Sequence, residues 1–219
     1  MTNPLLTPAL THWGIARASH MRYSGRMDTS FTLTPRQAAE LEFTPPRPGK
    51  RELLVIAGPH AVSQYMLTLA ARMAQRGRLR VLDGGNRFNA YTVARELRRS
   101  GTLDQTRALS RIHVARAFTC HQVLSLLENS PCQKAPTLVI DLLDTFYDES
   151  VNLEERRRLA HKCAGHLRRL SRYATVAVSV RPPRPPRTDP TGILEIIQDA
   201  ADQFVFHQPQ DSGQMPLLP

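Results

Sequence analysis

A strand, a glycine turn and a helix N-terminus together make a phosphate cradle, because backbone N–H groups and the helix dipole converge on the anion. Residues 53–65 have that order, LLVIA running into GPHAVSQY. The phosphate-loop pattern GxxxxGK[ST] needs glycine at its sixth place for backbone approach, lysine at the seventh for charge and a small hydroxyl at the eighth for magnesium. Here Gly58 opens the loop, and Ser63, Gln64 and Tyr65 fill those three places. Gln64 brings no charge, and Tyr65 is too bulky to hold the ion as Ser or Thr would. A glycine after a strand is also a simple turn, so the loop alone decides nothing. Further on, the apolar run TLVIDLL closes on Asp141, where a carboxylate holding a magnesium-bound water would sit.

Other reactive residue types are not arranged for chemistry. Cys120, Cys132 and Cys163 are odd in number and lack a CxxC pair, so neither a disulfide framework nor a zinc site is indicated, and a reducing cytosol fits them best. His161 and Cys163 fall on different faces of any helix, which argues against a shared metal and makes Cys163 a core residue. No Ser/His/Asp or Cys/His set is spaced for nucleophilic catalysis. His60, in the altered loop, reads as an ordinary loop histidine with contact to an anion as the alternative.

The elements that must position these residues follow from short apolar runs alternating with helical patterns, the mark of a parallel α/β sheet. The runs are 53–58, 78–83, 111–117, 137–143, 174–180 and 203–207, which predicts six strands. Met66, Leu69, Ala70 and Met73, and again Leu159, Cys163, Leu167 and Leu170, recur at helical spacing. The second helix starts at Asn152, with Glu155 three places on as in a capping box, and its other side carries Arg158, Lys162, Arg169 and Arg172. Residues 1–50 are broken by prolines and read as an arm, partly ordered at most around a short helix at 35–41. Residues 51–208 read as one α/β domain and 209–219 as a tail.

The chain's 219 residues suit a single core. Its 41% hydrophobic and 22% charged residues exclude wholesale disorder and collagen-like architecture. No apolar run approaches the roughly 18–20 residues that span a bilayer, so membrane insertion is not expected. Basic residues outnumber acidic ones 29 to 19, and 26 of the 29 are Arg. Arginine's planar fork suits phosphate, so a polyanion partner is one reading and an arginine-favouring genome the other. The segment RPPRPPR, 181–187, is extended by its prolines, and residues 154–187 carry ten basic side chains against two acidic ones. A phosphate-binding stripe using Arg169, Arg172, Arg181, Arg184 and Arg187 is the functional reading of that asymmetry. A solvated helix face with a proline linker, or a polyproline ligand for a partner's groove, are the alternatives.

The segment GTLDQTRALSRIHVARAFTCHQ, 101–122, resembles the RecA/RadA family of recombination ATPases, with Ala115, Arg116, Ala117, Phe118, His121 and Gln122 carrying the match. VLDGGNRF at 81–88, the TLVID strand, the long arginine-rich helix, AVSV and the step Pro190, Thr191, Gly192 are similar to further parts of the same family, over roughly 50–208. The resemblance implies a RecA-like P-loop-type core with a mostly parallel twisted sheet flanked by helices. It also implies where the chain departs. The family's Asp-Thr-Glu-Gly, whose glutamate orients the attacking water, aligns with Asp83, Gly84, Gly85 and Asn86, so the catalytic carboxylate has become Gly85. Losing the phosphate lysine, the magnesium hydroxyl and the general base together implies a pseudo-ATPase with no catalytic residue, no metal and no required cofactor. Residual nucleotide held by Gly58 and Asp141 as a structural switch is an alternative.

The implied role is an accessory factor in homologous recombination or DNA repair. It would bind DNA, single-stranded by preference, through the second loop facing the filament axis, where RPPRPPRTDPT falls. It would also bind a recombinase or a second copy of itself, in the cytoplasm, at the nucleoid or in the nucleus. Family members assemble head to tail through a Phe-x-x-Ala segment, for which Phe31, Thr32, Leu33 and Thr34 are the nearest counterpart. The family's first loop would fall on TFYDESVN, made acidic by Asp148 and Glu149. A regulatory protein that acts through protein contacts alone is the rival reading.

Overall fold

Short strands whose central members are apolar on both faces need helices above and below them. The computed structural model describes residues 50–58, 61–147, 151–182 and 192–206. The predicted arm, the tail, Pro59, His60, Asp148, Glu149, Arg184 and Arg187 lie outside the described residues. All six strands form where expected: β1 (Leu53–Ala57), β2 (Leu79–Asp83), β3 (Ile112–Arg116), β4 (Thr137–Ile140), β5 (Val176–Val180) and β6 (Gln203–Phe206). They make one sheet in the order β3-β2-β4-β5-β1-β6, and every pairing is parallel. The helices are α1 (Ala61–Arg76), α2 (Ala90–Arg99), α3 (Gln105–Ser110), α4 (Cys120–Glu128), α5 (Leu153–Ser171) and α6 (Ile193–Ala200).

The chain moves along the sheet in one direction from β1 through β2 to β3, then reverses through β4 and β5 to β6. Right-handed crossovers therefore put α1–α3 on one face and α4–α6 on the other. Two buried clusters match this division. Leu54 and Ile56 join α1–α3, whereas Leu53, Val55 and Ala57 join α4–α6, as the two-residue strand period requires. Each fully buried Leu or Val side chain contributes about 1.5–3 kcal/mol to the assembly.

Local chemistry sets the helix ends. The Asn152 side chain accepts from the Glu155 amide at 3.0 Å, so the predicted N-cap forms. The reciprocal half of the capping box does not, because the Glu155 carboxylate takes Arg158 instead, at 2.6 and 2.7 Å. That charged pair holds the Glu155 carboxyl below its ordinary pKa. Leu159, Cys163, Leu167 and Leu170 are buried as expected. Arg169 is not on the solvent side with Lys162 and Arg172. Its guanidinium donates to the carbonyls of Leu127, Glu128 and Ser130 at 2.9, 3.1 and 3.2 Å, closing the C-terminal end of α4.

The fourth strand is shorter than the run TLVIDLL. It stops at Ile140 because Asp141 takes a left-handed backbone (φ 51°), a conformation that aspartate tolerates better than most residues. Leu142 and Leu143 then turn into the core ahead of a 3-10 turn at Asp144–Tyr147. No helix among the described residues is long and apolar enough to cross a membrane.

Candidate functional site

In an open parallel sheet, ligands meet the C-terminal strand ends where neighbouring strands send their connections to opposite faces. Here β2 and β4 are such neighbours, and so are β1 and β5. Ser63, Asp83, Gly84, Gly85, Asp141 and Arg181 all belong to these ends.

Backbone bonds hold the crevice shut. The Gly84 amide donates to Ile140 O at 2.8 Å, and the Asp141 and Leu142 amides donate to the Ser179 hydroxyl and carbonyl at 2.9 and 3.0 Å. The close approach of β2 to β4 leaves no room at Gly85. A Cβ there would lie 2.5 Å from Asp141 Cβ and 2.9 Å from Asp141 Oδ2. Asp83 organises the following turn, its two oxygens accepting from the Arg87 and Phe88 amides at 2.8 and 2.9 Å, with Arg116 Nε at 3.4 Å. Asn86 takes the left-handed backbone that this turn demands (φ 52°).

Asp141 is fully buried, and its Oδ2 faces one hydroxyl donor and two guanidinium charges from three parts of the chain. Ser63 Oγ of α1 lies at 3.3 Å, Arg181 Nε beyond β5 at 3.3 Å and Arg87 Nε beyond β2 at 3.5 Å. Arg181, only 12% exposed, also pairs with the Asp144 carboxylate. Burial nevertheless raises the Asp141 pKa, outweighing the opposing pull of Arg181, Ser63 and Arg87, while Asp144 adds to the rise. Three carboxylates (Asp83, Asp141, Asp144) thus meet three guanidinium groups (Arg87, Arg116, Arg181).

Three guanidinium groups already neutralise the carboxylates of this set, which opposes a divalent ion held by one or two carboxylates and retained waters, while Asp141 Oδ1 is buried without a hydrogen-bond partner among the described residues. Tyr65, in the magnesium-hydroxyl slot of the sequence pattern, packs against the α1–α3 core, and burial raises its phenol pKa. Gln64 is exposed. Gly58 continues β1, its amide donating to Val180 O at 3.1 Å.

The structure thus brings Ser63, Gly85, Asp141 and Arg181 into one crevice. It places Arg169 and Arg172 at the far end of α5, by the N-terminal edge of the sheet, so they do not join Arg181. Arg87, Arg116, Asp83 and Asp144 were not singled out as site residues by the sequence reading. The only available signal was their position just after, or at the end of, an apolar run. No protein-family model matches the chain, and no curated protein matches it.

Proposed function

We propose that the chain is a catalytically inactive RecA/RadA-like protein, an accessory factor in homologous recombination or DNA repair that binds DNA, a recombinase partner or both. The observation that carries this reading is the arginine-filled crevice at Asp141. The carboxylate aligned with the metal-binding position of a phosphate-loop ATPase is ion-paired with Arg181 and Arg87 and hydrogen-bonded by Ser63, and a side chain at position 85 would collide with it. An attacking water thus lacks both its metal-bound carboxylate and its general base. The parallel sheet with helices on both faces is compatible with a RecA-like core and is shared by other α/β folds.

The test is magnesium-dependent ATP turnover by the pure protein. The reading expects none above background, and turnover that disappears in Asp141→Ala overturns it.

A second reading, regulation through protein contacts without DNA, is favoured by β3. This edge strand leaves Val114 41% exposed, and Phe118, just beyond it, is 65% exposed. An uncovered strand edge can accept an extended segment from a partner. Absent or salt-insensitive oligonucleotide binding favours this second reading over the first.

A further inference from the structure

The charge of this molecule is distributed unequally between the two edges of its sheet. At the C-terminal edge the three arginines described above are matched by three aspartates. The N-terminal edge is different. Backbone bonds run along it from strand to strand: Leu79 N to Arg111 O, Arg80 N to Pro136 O, Thr137 N to Thr175 O, Val176 N to Glu52 O, and Asp202 N to Leu53 O, all between 2.9 and 3.1 Å. This continuous rim crosses six strands, about 24 Å at the usual strand spacing.

The strand entries and helix ends along the rim supply exposed Arg51, Arg76, Arg78, Lys134, Arg168 and Arg172. Exposed carboxylates at the same strand entries and helix ends are Asp104, Glu128, Asp199 and Asp202. Glu52 is buried and paired with Lys50. One cleft in the rim is lined by Arg51, Arg168, Ser171, Arg172 and Asp202. Both Asp202 oxygens are engaged, one by Arg168 at 2.6 Å and the other by the Leu53 amide at 2.7 Å. The side chains of Arg51 and Arg172 have no hydrogen-bonding or ion-pair partner among the described residues. Tyr173, which follows Arg172 in the chain, is 50% exposed.

We infer that this N-terminal rim is a nucleic-acid-binding face, with Arg51, Arg78 and Arg172 contacting phosphates and Tyr173 stacking on a base of a single strand. The inference rests on the DNA-binding half of the proposed function and moves the contact surface to the edge opposite Asp141. A row of cations of this length is long enough to meet several successive phosphates of one strand. Guanidinium groups fork onto phosphate oxygens, and an exposed ring next to them is the usual platform for an unpaired base. Anionic lipid would satisfy the charge, but it gives the aromatic ring no stacking partner.

The test is fluorescence anisotropy on a labelled single strand of about 20 nucleotides, longer than one usual single-strand site, at about 50 and 200 mM salt. Three variants are compared with wild type: Arg51→Ala/Arg78→Ala/Arg172→Ala together, Tyr173→Ala, and Arg184→Ala/Arg187→Ala. Circular dichroism and thermal unfolding verify that each is folded. The triple variant is expected to lose at least tenfold in affinity and to flatten the slope of log affinity against log salt by about 2, at roughly 0.7 per phosphate contact. Tyr173→Ala should weaken single-strand binding more than duplex binding.

If wild type binds but the triple variant keeps its affinity and slope while Arg184→Ala/Arg187→Ala loses both, the rim is not the site and the DNA reading survives without it. If wild type binds no oligonucleotide, the inference and the DNA half of the proposed function fall together, leaving the Asp141 argument untouched. Rim-dependent binding to phosphatidylserine vesicles with no oligonucleotide binding overturns the inference in favour of a membrane surface.

Discussion

Replacing Arg181 by methionine removes the counter-charge that Asp141 and Asp144 share, while keeping most of the side-chain volume. Asp141 is wholly buried, so the lost pair is not replaced by water, and Arg87 at 3.5 Å and Ser63 at 3.3 Å are left to hold the charge. Breaking a buried pair by removing one partner costs about 3–5 kcal/mol. With Arg87 still in place, we expect a loss of about 3 kcal/mol at pH 7, a large part of a typical domain stability of roughly 5–15 kcal/mol.

The sign of the pH dependence follows from the raised Asp141 pKa. The folded state takes up that proton more readily than the unfolded one, so the buried carboxylate is a burden at neutral pH. That burden fades as pH falls through the folded pKa toward the ordinary value of about 3.9. Arg181 lowers the Asp141 pKa, so the variant's value is higher still and its deficit should shrink earlier on acidification. Urea unfolding of wild type, Arg181→Met, Asp141→Asn and the double variant, at pH 7 and at pH 5, measures this directly. The double variant should recover most of the loss, because neutral asparagine needs no counter-charge and Asp144 is partly solvated. A deficit below about 1 kcal/mol, or one that the double variant does not reduce, would falsify the account of the crevice as a buried ion-pair cluster.

Gly85→Ala should destabilise the fold by about 1–3 kcal/mol in the same assay, because the added methyl overlaps Asp141 and β2 cannot move away while Gly84 is bonded to Ile140. Stability equal to wild type would mean that the crevice yields freely. Burial, with Cys120 as a lesser contributor, pushes the Cys163 thiol up to about 12. In a thiol-titration time course Cys163 and buried Cys120 should react only on unfolding, and half-buried Cys132 before them. Modification of Cys163 in the native protein at the rate of Cys132 would contradict the packing of α5 against α4.

The elements of this protein are legible in its sequence because they rest on short-range rules. The apolar runs of β1, β4 and β5 commit their residues to strands covered on both sides, while those of β3 and β6 form the edges. Asn152 caps a helix through an amide three residues away, and Cys163 falls into the core because Leu159 and Leu167 flank it at helical spacing. Asp141 could be placed at a strand end for the same reason, although the left-handed turn that ends β4 one residue early has no signature in the run itself.

The fate of the arginines was not legible. Arg169, in the last turn of α5, and Arg172, at its C-cap, share a charge, yet one closes the end of α4 and the other faces solvent. Arg181 looks in sequence like the first residue of a basic proline-rich loop, whereas in the fold it is joined to Asp141, 40 positions earlier, and to Asp144. Local spacing specifies the face on which a long side chain starts. The group it reaches is decided by the sheet order β4-β5-β1, which sets the ends of distant segments side by side where desolvation makes a single charge costly and a pair tolerable.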